Sequence, residues 1–448
     1  MKRLNDSQKL GYDKSMVDAK FIREHARAVK DGMKHKNLDP KIVEDFLTMD
    51  EVWRVLTKEL DDLRAEHKEL THSIRSGSTL NGVEGLSDAR DTKGAKAAKA
   101  KIQSKEEEYA AVERKRKTLW LEIPNPPSPD VPVGKDEKGN QVIRTWGEPT
   151  TFDFEPKDHL ALGEARGLID TERAAKISGT RFAYLTGDAV LLEFALIGFA
   201  FDTLIPEGFT PVIPPVLVRE NITEGLGYWQ AGGEKDHYRV HGAGDDGSGK
   251  QEFYLVGTAE HSLVPMHADE ILKKRDLPKR YMGFSTCFRR EAGSYGKDTR
   301  GIIRVHQFDK VEMVSFASRE DGDSEHEYLL SLEEKLFQAL GIPYRVVKIC
   351  TADLGFPIAR KYDLEAWLPG EGRYREVTST STTTDFQARR LNVKYSDGAE
   401  KRYAHIINGT AFAIGRTLAA IFENFQTKDG KIRVPAALQK YIRKELVG

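Results

Sequence analysis

The sequence predicts an α+β protein in two parts, an N-terminal antiparallel helical hairpin and a larger domain of mixed helix and strand. Three observations carry this expectation. An apolar seam with a period of 3.5 runs from Ile42 to Ile74. A proline-rich break follows at Ile123–Asp130. Beyond Thr145–Trp146–Gly147 the composition changes to strand-like and helix-like stretches divided by glycine turns.

The seam comprises Ile42, Phe46, Met49, Trp53, Leu56, Leu60, Leu63, His67, Leu70 and Ile74, in alternating steps of four and three. Such a stripe asks for a partner helix in a left-handed supercoil, and its helix would extend roughly 50 Å. Gly77, Gly82 and Gly85 then end it. A weaker stripe follows at Ala98, Ile102, Lys105, Tyr109, Val112, Arg116, Leu119 and Ile123. Lys105 and Arg116 are expected to pack their stems in the seam and send their charged heads to water. The favoured reading is a projecting arm; a hairpin packed flat on the body is the alternative.

The four prolines of Ile123–Asp130 cannot continue a helix and favour a stiff extended linker. These breaks divide the chain into residues 1–123, 124–150 and 151–448, and a length of 448 residues suits two or three domains.

Basic and acidic residues, 69 and 70, nearly cancel, so a nucleic-acid partner cannot be argued from net charge and any footprint must be local. One local excess exists: Arg90–Lys117 holds ten basic residues against five acidic ones. Such a run is a solvated face or a phosphate-contacting one. The only cysteines, Cys287 and Cys350, lack metal-ligand spacing, which excludes a disulfide framework, disfavours a thiolate zinc site and suits a reducing cytoplasm. The N-terminus lacks the apolar core of a signal peptide, and no apolar run reaches membrane-spanning length. A soluble, cytoplasmic protein without membrane contact is expected.

Chemistry concentrates between Tyr281 and Val314. Alternation places Met282, Phe284 and Phe288 on one face of a strand and Arg289 and Glu291 on the other. After the turn Ala292–Gly301, a return strand is expected to present Arg304, His306, Phe308, Lys310 and Glu312 together. That face is too polar for a buried core; a solvated sheet surface is the alternative, and Phe308 amid the charges favours a working surface. His261, His306 and His405 show no metal-ligand spacing.

In these residues the chain resembles the class II aminoacyl-tRNA synthetases, and among them the bacterial-type seryl-tRNA synthetases. Cys287–Val314 is similar to that family's second signature motif along its whole length. Gly208–Pro215 resembles the first motif, Gly409–Asn424 the third, Thr258–Ala259–Glu260 the serine-binding loop, and Glu376–Ser379 with Thr384–Arg390 the ATP-side segment. The resemblance implies a class II catalytic domain over residues 151–448, built on a mixed, mainly antiparallel sheet with flanking helices. It makes residues 1–123 a tRNA-binding arm, and 124–150 the linker and entry segment.

The implied activity is activation of L-serine with ATP, aided by Mg²⁺, and transfer of serine to the 3′ end of tRNA(Ser), with tRNA(Sec) a further candidate. Arg289 and Arg416 are the implied catalytic residues. The implied ATP site comprises Arg289, Arg290, Glu291, Val305, Phe308, Glu376, Val377, Thr378, Ser379 and Arg416, with Glu376 and Ser379 holding the metal. Thr258, Ala259 and Glu260 are assigned to the amino end of serine, Arg289 to its carboxylate, and Glu312 and Thr410 to its hydroxyl. Arg390 is read as structural. Lys93, Lys96, Lys99 and Lys101 are the implied tRNA contacts on the arm, and the implied assembly is a homodimer. Thr378 stands where the family often has serine, and Thr410–Ala411–Phe412 where Ser-Gly-Leu is frequent; both changes keep the needed hydroxyl. A different class II synthetase or a carrier-protein ligase would share the motifs without the arm. A non-catalytic RNA-binding paralogue would have lost Arg289, Glu291, Glu376 or Arg416.

Overall fold

A computed structural model describes residues 18–77, 87–241, 252–292 and 300–448. Gly82 and Gly85, the residues before Met16, the span 242–249 and the centre of the Ala292–Gly301 turn lie outside the described residues, as does the Lys93 side chain. The chain divides into two compact units, Val17–Lys34 with Leu38–Pro124, and His35–Asn37 with Asn125–Gly448.

The first unit is helical: α1 (Ala19–Glu24), α2 (Ala26–His35), α3 (Lys41–Gly77) and α4 (Ser87–Leu121). Asp18 caps α1 by accepting the Phe21 N–H at 2.7 Å. Cross-helix pairs fix the direction of the hairpin. Asp50 meets Arg116, Trp53 meets Tyr109, and Glu59 meets Lys105, so one number rises as the other falls. The helices are antiparallel, and Phe46, Leu56, Leu60, Ala95 and Ala98 are buried.

The seam departs from expectation at Arg116. The Arg116 head does not reach for water; it lies 4.4 Å from the Trp53 ring and 2.7 Å from an oxygen of Asp50, which is fully buried. Arg23 and Arg54 complete a guanidinium shell around the same carboxylate. A buried anion is tolerated only when paired, and this requirement draws Arg116 inward.

In the second unit, β1 (Gln141–Trp146), α5 (His159–Ala165), α6 (Asp188–Leu204), β2 (Phe209–Val212) and α7 (Glu260–Leu263) come first. Then follow β3 (Lys279–Phe288), β4 (Gln307–Ala317), α8 (Gly322–Leu340), β5 (Tyr344–Lys348) and β6 (Arg360–Leu368). The long strand β7 (Arg373–Thr384), β8 (His405–Ala413) and α9 (Ile414–Asn424) complete the frame. The main sheet has eight strands in the order β1-β5-β6-β7-β8-β4-β3-β2. Every pairing is antiparallel except β2 with β3. The α+β class and the mixed, mainly antiparallel sheet are as expected.

One apolar core lies where α6, α8 and α9 pack on the sheet, through Leu192, Leu196, Leu329, Phe337, Leu418 and Phe422 against Val311, Met313, Leu364 and Phe412. Each such side chain contributes roughly 1.5–3 kcal/mol on burial. The spacing of Ile414, Leu418, Ile421 and Phe425 predicts a buried helix face; the first three are buried, Phe425 is half-buried just past the end of α9, and Arg416 sits off the stripe in the first turn. The Arg390 guanidinium lies 4.1 Å from the Phe386 ring.

The strands around the turn are shorter than alternation suggested. Strand β3 ends at Phe288 and β4 begins at Gln307, so Arg289, Glu291, Arg304 and His306 lie beyond the paired ladder. The His306 N–H bonds to the Arg181 carbonyl rather than to β3, and Glu291 adopts φ +50°, which breaks the alternation.

Candidate active site

Register places the polar face. Glu312 of β4 lies opposite Thr410 of β8 and, on its other side, opposite Gly283 of β3. A Cβ at Gly283 would come within 3.0 Å of Ala259 and Leu263, so glycine there lets α7 approach the sheet. The result is a cavity of ≈360 Å³ between the sheet, α7 and the segment after the turn.

Its deepest polar groups form one network. Lys310 Nζ stands 2.5 Å from Glu312 Oε2 and donates to Thr258 Oγ1 at 3.3 Å. Thr410 Oγ1 donates to the same Glu312 oxygen at 3.3 Å. Beside them Glu260 accepts from Tyr228 Oη at 2.8 Å and from Gln387 Nε2 at 2.8 Å. Burial pushes the Glu260 carboxyl up to about 7, the donors Gln387 and Tyr228 pull against it, and Glu312 adds to the rise. These buried donors and acceptors suit a small polar ligand carrying both charge and hydroxyl.

Arg289 leads toward a second group. Its Nε donates to the Gly257 carbonyl at 3.0 Å, and its guanidinium lies 5.5 Å from the Phe308 ring. Arg304 pairs with Glu291. Arg416 donates from Nε to the Ile303 carbonyl at 3.3 Å and pairs through Nη1 with Glu376 at 3.0 Å. Glu376 keeps 41% of its side-chain surface exposed, and Arg416, Lys361 and Arg289 hold its carboxyl down to about 2 against the partial loss of water in the cavity. On the neighbouring strand β6, Asp363 lies opposite Ser379. Burial, opposed by Lys361 and reinforced by Glu376, brings its carboxyl up to about 7. An ionised carboxylate amid cations, beside the Ser379 hydroxyl, offers the hard oxygen donors that a divalent cation requires.

The structure therefore gathers Thr258, Glu260, Arg289, Glu291, Val305, Phe308, Glu312, Glu376, Val377, Thr378, Ser379, Thr410 and Arg416 around one cavity. It leaves two expected residues outside. Ala259 points into an apolar cluster with Leu263 and Val314, and Arg290, between two lining residues, turns to solvent. The sequence reading assigned no role to Arg304, Lys310, Lys361, Tyr228, Gln387 or Asn408. Alternation had grouped Arg304 and Lys310 with Phe308 and Glu312, and Gln387 lies inside the Thr384–Arg390 resemblance, so signals existed for these; Tyr228 comes from a distant segment and carried none. Lys36 was equally silent. Its buried Nζ donates to the carbonyls of Gly355, Phe356 and Ile358, and Gly355 and Ile358 form part of the cavity wall.

Residues 16–127 match the family model for the seryl-tRNA synthetase N-terminal domain, and residues 238–425 match the class II tRNA synthetase core domain (G, H, P, S and T). The serine--tRNA ligase of Dictyoglomus turgidum is 46% identical over 430 residues, covering 95% of this chain and 98% of that protein. The chain belongs to the seryl-tRNA synthetase family. Relatedness extends across wide distances within these synthetases, since the serine--tRNA ligase of Pyrococcus horikoshii is 42% identical over 95% of the chain and 96% of its own length. Two solved seryl-tRNA synthetase folds superpose along nearly the full chain. The P. horikoshii enzyme, complexed with ATP, gives a TM-score of 0.88 at 41% identity, covering 96% and 99% of the two chains. The Naegleria fowleri cytoplasmic enzyme, in complex with AMP, gives 0.83 at 31% identity, covering 97% and 99%.

Proposed function

We infer that the cavity carries out both steps of serine attachment to tRNA, with its network of Thr258, Glu260, Glu312 and Thr410 reading serine and its arginine-rich part holding ATP. Family membership makes the chain a serine--tRNA ligase, an enzyme that uses ATP, L-serine and tRNA. In the first step a serine carboxylate oxygen attacks the α-phosphorus of ATP and pyrophosphate departs. In the second, a hydroxyl at the 3′ end of tRNA attacks the activated carbonyl carbon and AMP departs. One observation carries the reading: Arg289, Arg416 and Glu376 converge on the cavity that also holds the hydroxyl-reading pair Glu312 and Thr410.

Arg289 is assigned to the α-phosphate and the serine carboxylate together, because a planar guanidinium presents paired donors to both. Arg416 and Phe308 flank adenine, Glu291 and the Val305 backbone read its edge, and Val377 and Thr378 line the ATP side. Glu376 and Ser379 would hold Mg²⁺, which supplies charge neutralisation for the phosphates when bound. Glu260 and Thr258 receive the serine ammonium. Alanine is rejected because it leaves the buried Glu312–Thr410 pair without its partner, and sites that read a hydroxyl this way discriminate by about 10⁴–10⁵.

We assign residues 1–123 to binding tRNA(Ser), with tRNA(Sec) a further candidate, through Lys93, Lys96, Lys99 and Lys101; residues 124–150 link this arm to the catalytic domain. A homodimer is the assembly favoured by the exposed apolar side chains Leu191, Phe194, Ile205 and Ile213 on and around α6 and β2. The cytoplasm is the favoured compartment, and among the described residues no helix is long and apolar enough to cross a membrane. The deciding assay is ATP–pyrophosphate exchange with each amino acid in turn. Serine is expected to dominate; greater activity with alanine or glycine rejects the pocket assignment.

A further inference from the structure

Among the described residues, His159, Glu371 and Glu423 bring potential metal-ligating atoms within 4.8 Å of one another. Their hydrogen bonds point to a different role. His159 Nε2 accepts the Ile302 N–H at 3.4 Å. A backbone amide can only donate, so Nε2 carries a lone pair and the ring proton resides on Nδ1, which faces Glu423 Oε1 at 3.0 Å. Both ring nitrogens are thereby committed. Glu423 is equally engaged, since it also accepts the His159 N–H at 3.0 Å and the Gly370 N–H at 2.9 Å. Neither side chain is open to competing water, at 5% and 0% exposure.

Position on α9 gives this pair its consequence. Glu423 and Arg416 are seven residues apart, two turns, and so share a face of the helix. Arg416 holds the Ile303 carbonyl directly, while Glu423 reaches the adjoining Ile302 N–H through His159. One helix thus grips two successive residues of the segment returning from the turn. Gly301 makes the approach possible. It has φ +81°, and a Cβ there would lie 2.2 Å from His159 Nε2. Ile302, Ile303 and Val305 line the cavity immediately beyond.

We propose that His159 is a positioning residue for ATP: its imidazole relays Glu423 to the Ile302 N–H and holds the 301–305 segment in register with Arg416. The proposal rests on the assignment of adenine to the Arg416 and Phe308 side of the cavity.

The test measures KM for ATP and for serine separately in pyrophosphate exchange, using the full-length chain. His159→Phe preserves ring volume and removes both hydrogen bonds. It is expected to raise the ATP KM by about 10- to 100-fold, the scale of losing buried hydrogen bonds to an amide and a charged group, while serine KM stays within about 2-fold. Glu423→Gln is expected to show the same ATP-selective effect, and the double variant no more than the worse single one, because the two act along one path. Should His159→Phe not fold, Glu423→Gln and His159→Asn carry the test, with His159→Asn showing a smaller rise in ATP KM than Arg416→Ala. Equal increases in both KM values, or a lowered melting temperature with both KM values unchanged, would overturn the proposal. Arg416→Ala is the reference: if it leaves ATP KM unchanged, the nucleotide assignment falls and the proposal falls with it. An impaired Arg416→Ala beside unaffected His159 variants rejects the relay alone.

Discussion

Arg416, in the first turn of α9, and Glu376, on β7, form a 3.0 Å ion pair within the lining of the cavity. The pair joins α9 to β7, and together with Lys361 and Arg289 it keeps the partly exposed Glu376 carboxylate ionised. A depressed carboxyl contributes stability that is present above its unfolded value and is lost only as pH falls through the folded one. Between about pH 5 and 9 the Glu376 carboxylate should therefore contribute no slope to activity or stability. Arg416→Ala should reduce exchange by about 10²–10³, the range for removing one transition-state donor. Exchange rates measured across this pH range check both expectations.

Glu260 has the opposite sign. Its folded value of about 7 lies above the unfolded one, so its contribution to stability is full below about pH 4 and is lost as pH rises through 7. Serine's ammonium calls for the ionised form. Serine binding near pH 6 should release a proton, and affinity should rise toward pH 8. Calorimetry in two buffers of different ionisation enthalpy measures that proton. Glu260→Gln should abolish the release and weaken binding, and it should remove the decline in unliganded stability between pH 5 and 8.

Thr410→Val should test hydroxyl reading with little change in volume. Loss of the Thr410 donor leaves Glu312 Oε2 with Lys310 alone and deprives serine of a partner. The cost of such an unmet buried group is about 1–3 kcal/mol, or roughly 5- to 150-fold in kcat/KM for serine. The same measurement with alanine should show a much smaller change, narrowing the discrimination.

Lys96, Lys99 and Lys101 are exposed on α4. Replacing all three by glutamate should raise the KM for tRNA(Ser), flatten its dependence on salt and leave exchange without tRNA unchanged. Equal loss in both assays would separate these lysines from a tRNA-specific role.

Asp50 anchors Arg23, Arg54 and Arg116 at zero exposure. Asp50→Ala should destabilise the helical unit by about 1–3 kcal/mol, because three partly exposed guanidinium groups lose their shared anion. Urea unfolding followed by helix signal provides the measurement. Restoring much of the loss by also replacing Arg116 with Leu would identify uncompensated charge as the cause.

The order of elements was legible because it is written in local patterns. The 3.5 repeat from Ile42 specifies a paired helix, the prolines after Ile123 end it, and the stripe Ile414–Leu418–Ile421 buries one face of α9. That Arg289, Phe308, Glu312 and Arg416 would line one cavity was legible through resemblance to two motifs, each compact in sequence. Alternation misled where pairing stopped: it placed Arg304 and His306 on a strand that begins only at Gln307.

The sequence by itself determined a helical hairpin, a mixed domain and the family to which both belong. Tertiary structure alone decided that Asp50 would be buried among arginines, that Tyr228 and Gln387 would share Glu260, and that His159 would lie between Glu423 and Ile302. The physical reason is distance along the chain. Hydrophobic periodicity records what each segment must bury, whereas the partner of a buried polar group is chosen by whichever remote segment the fold brings to it.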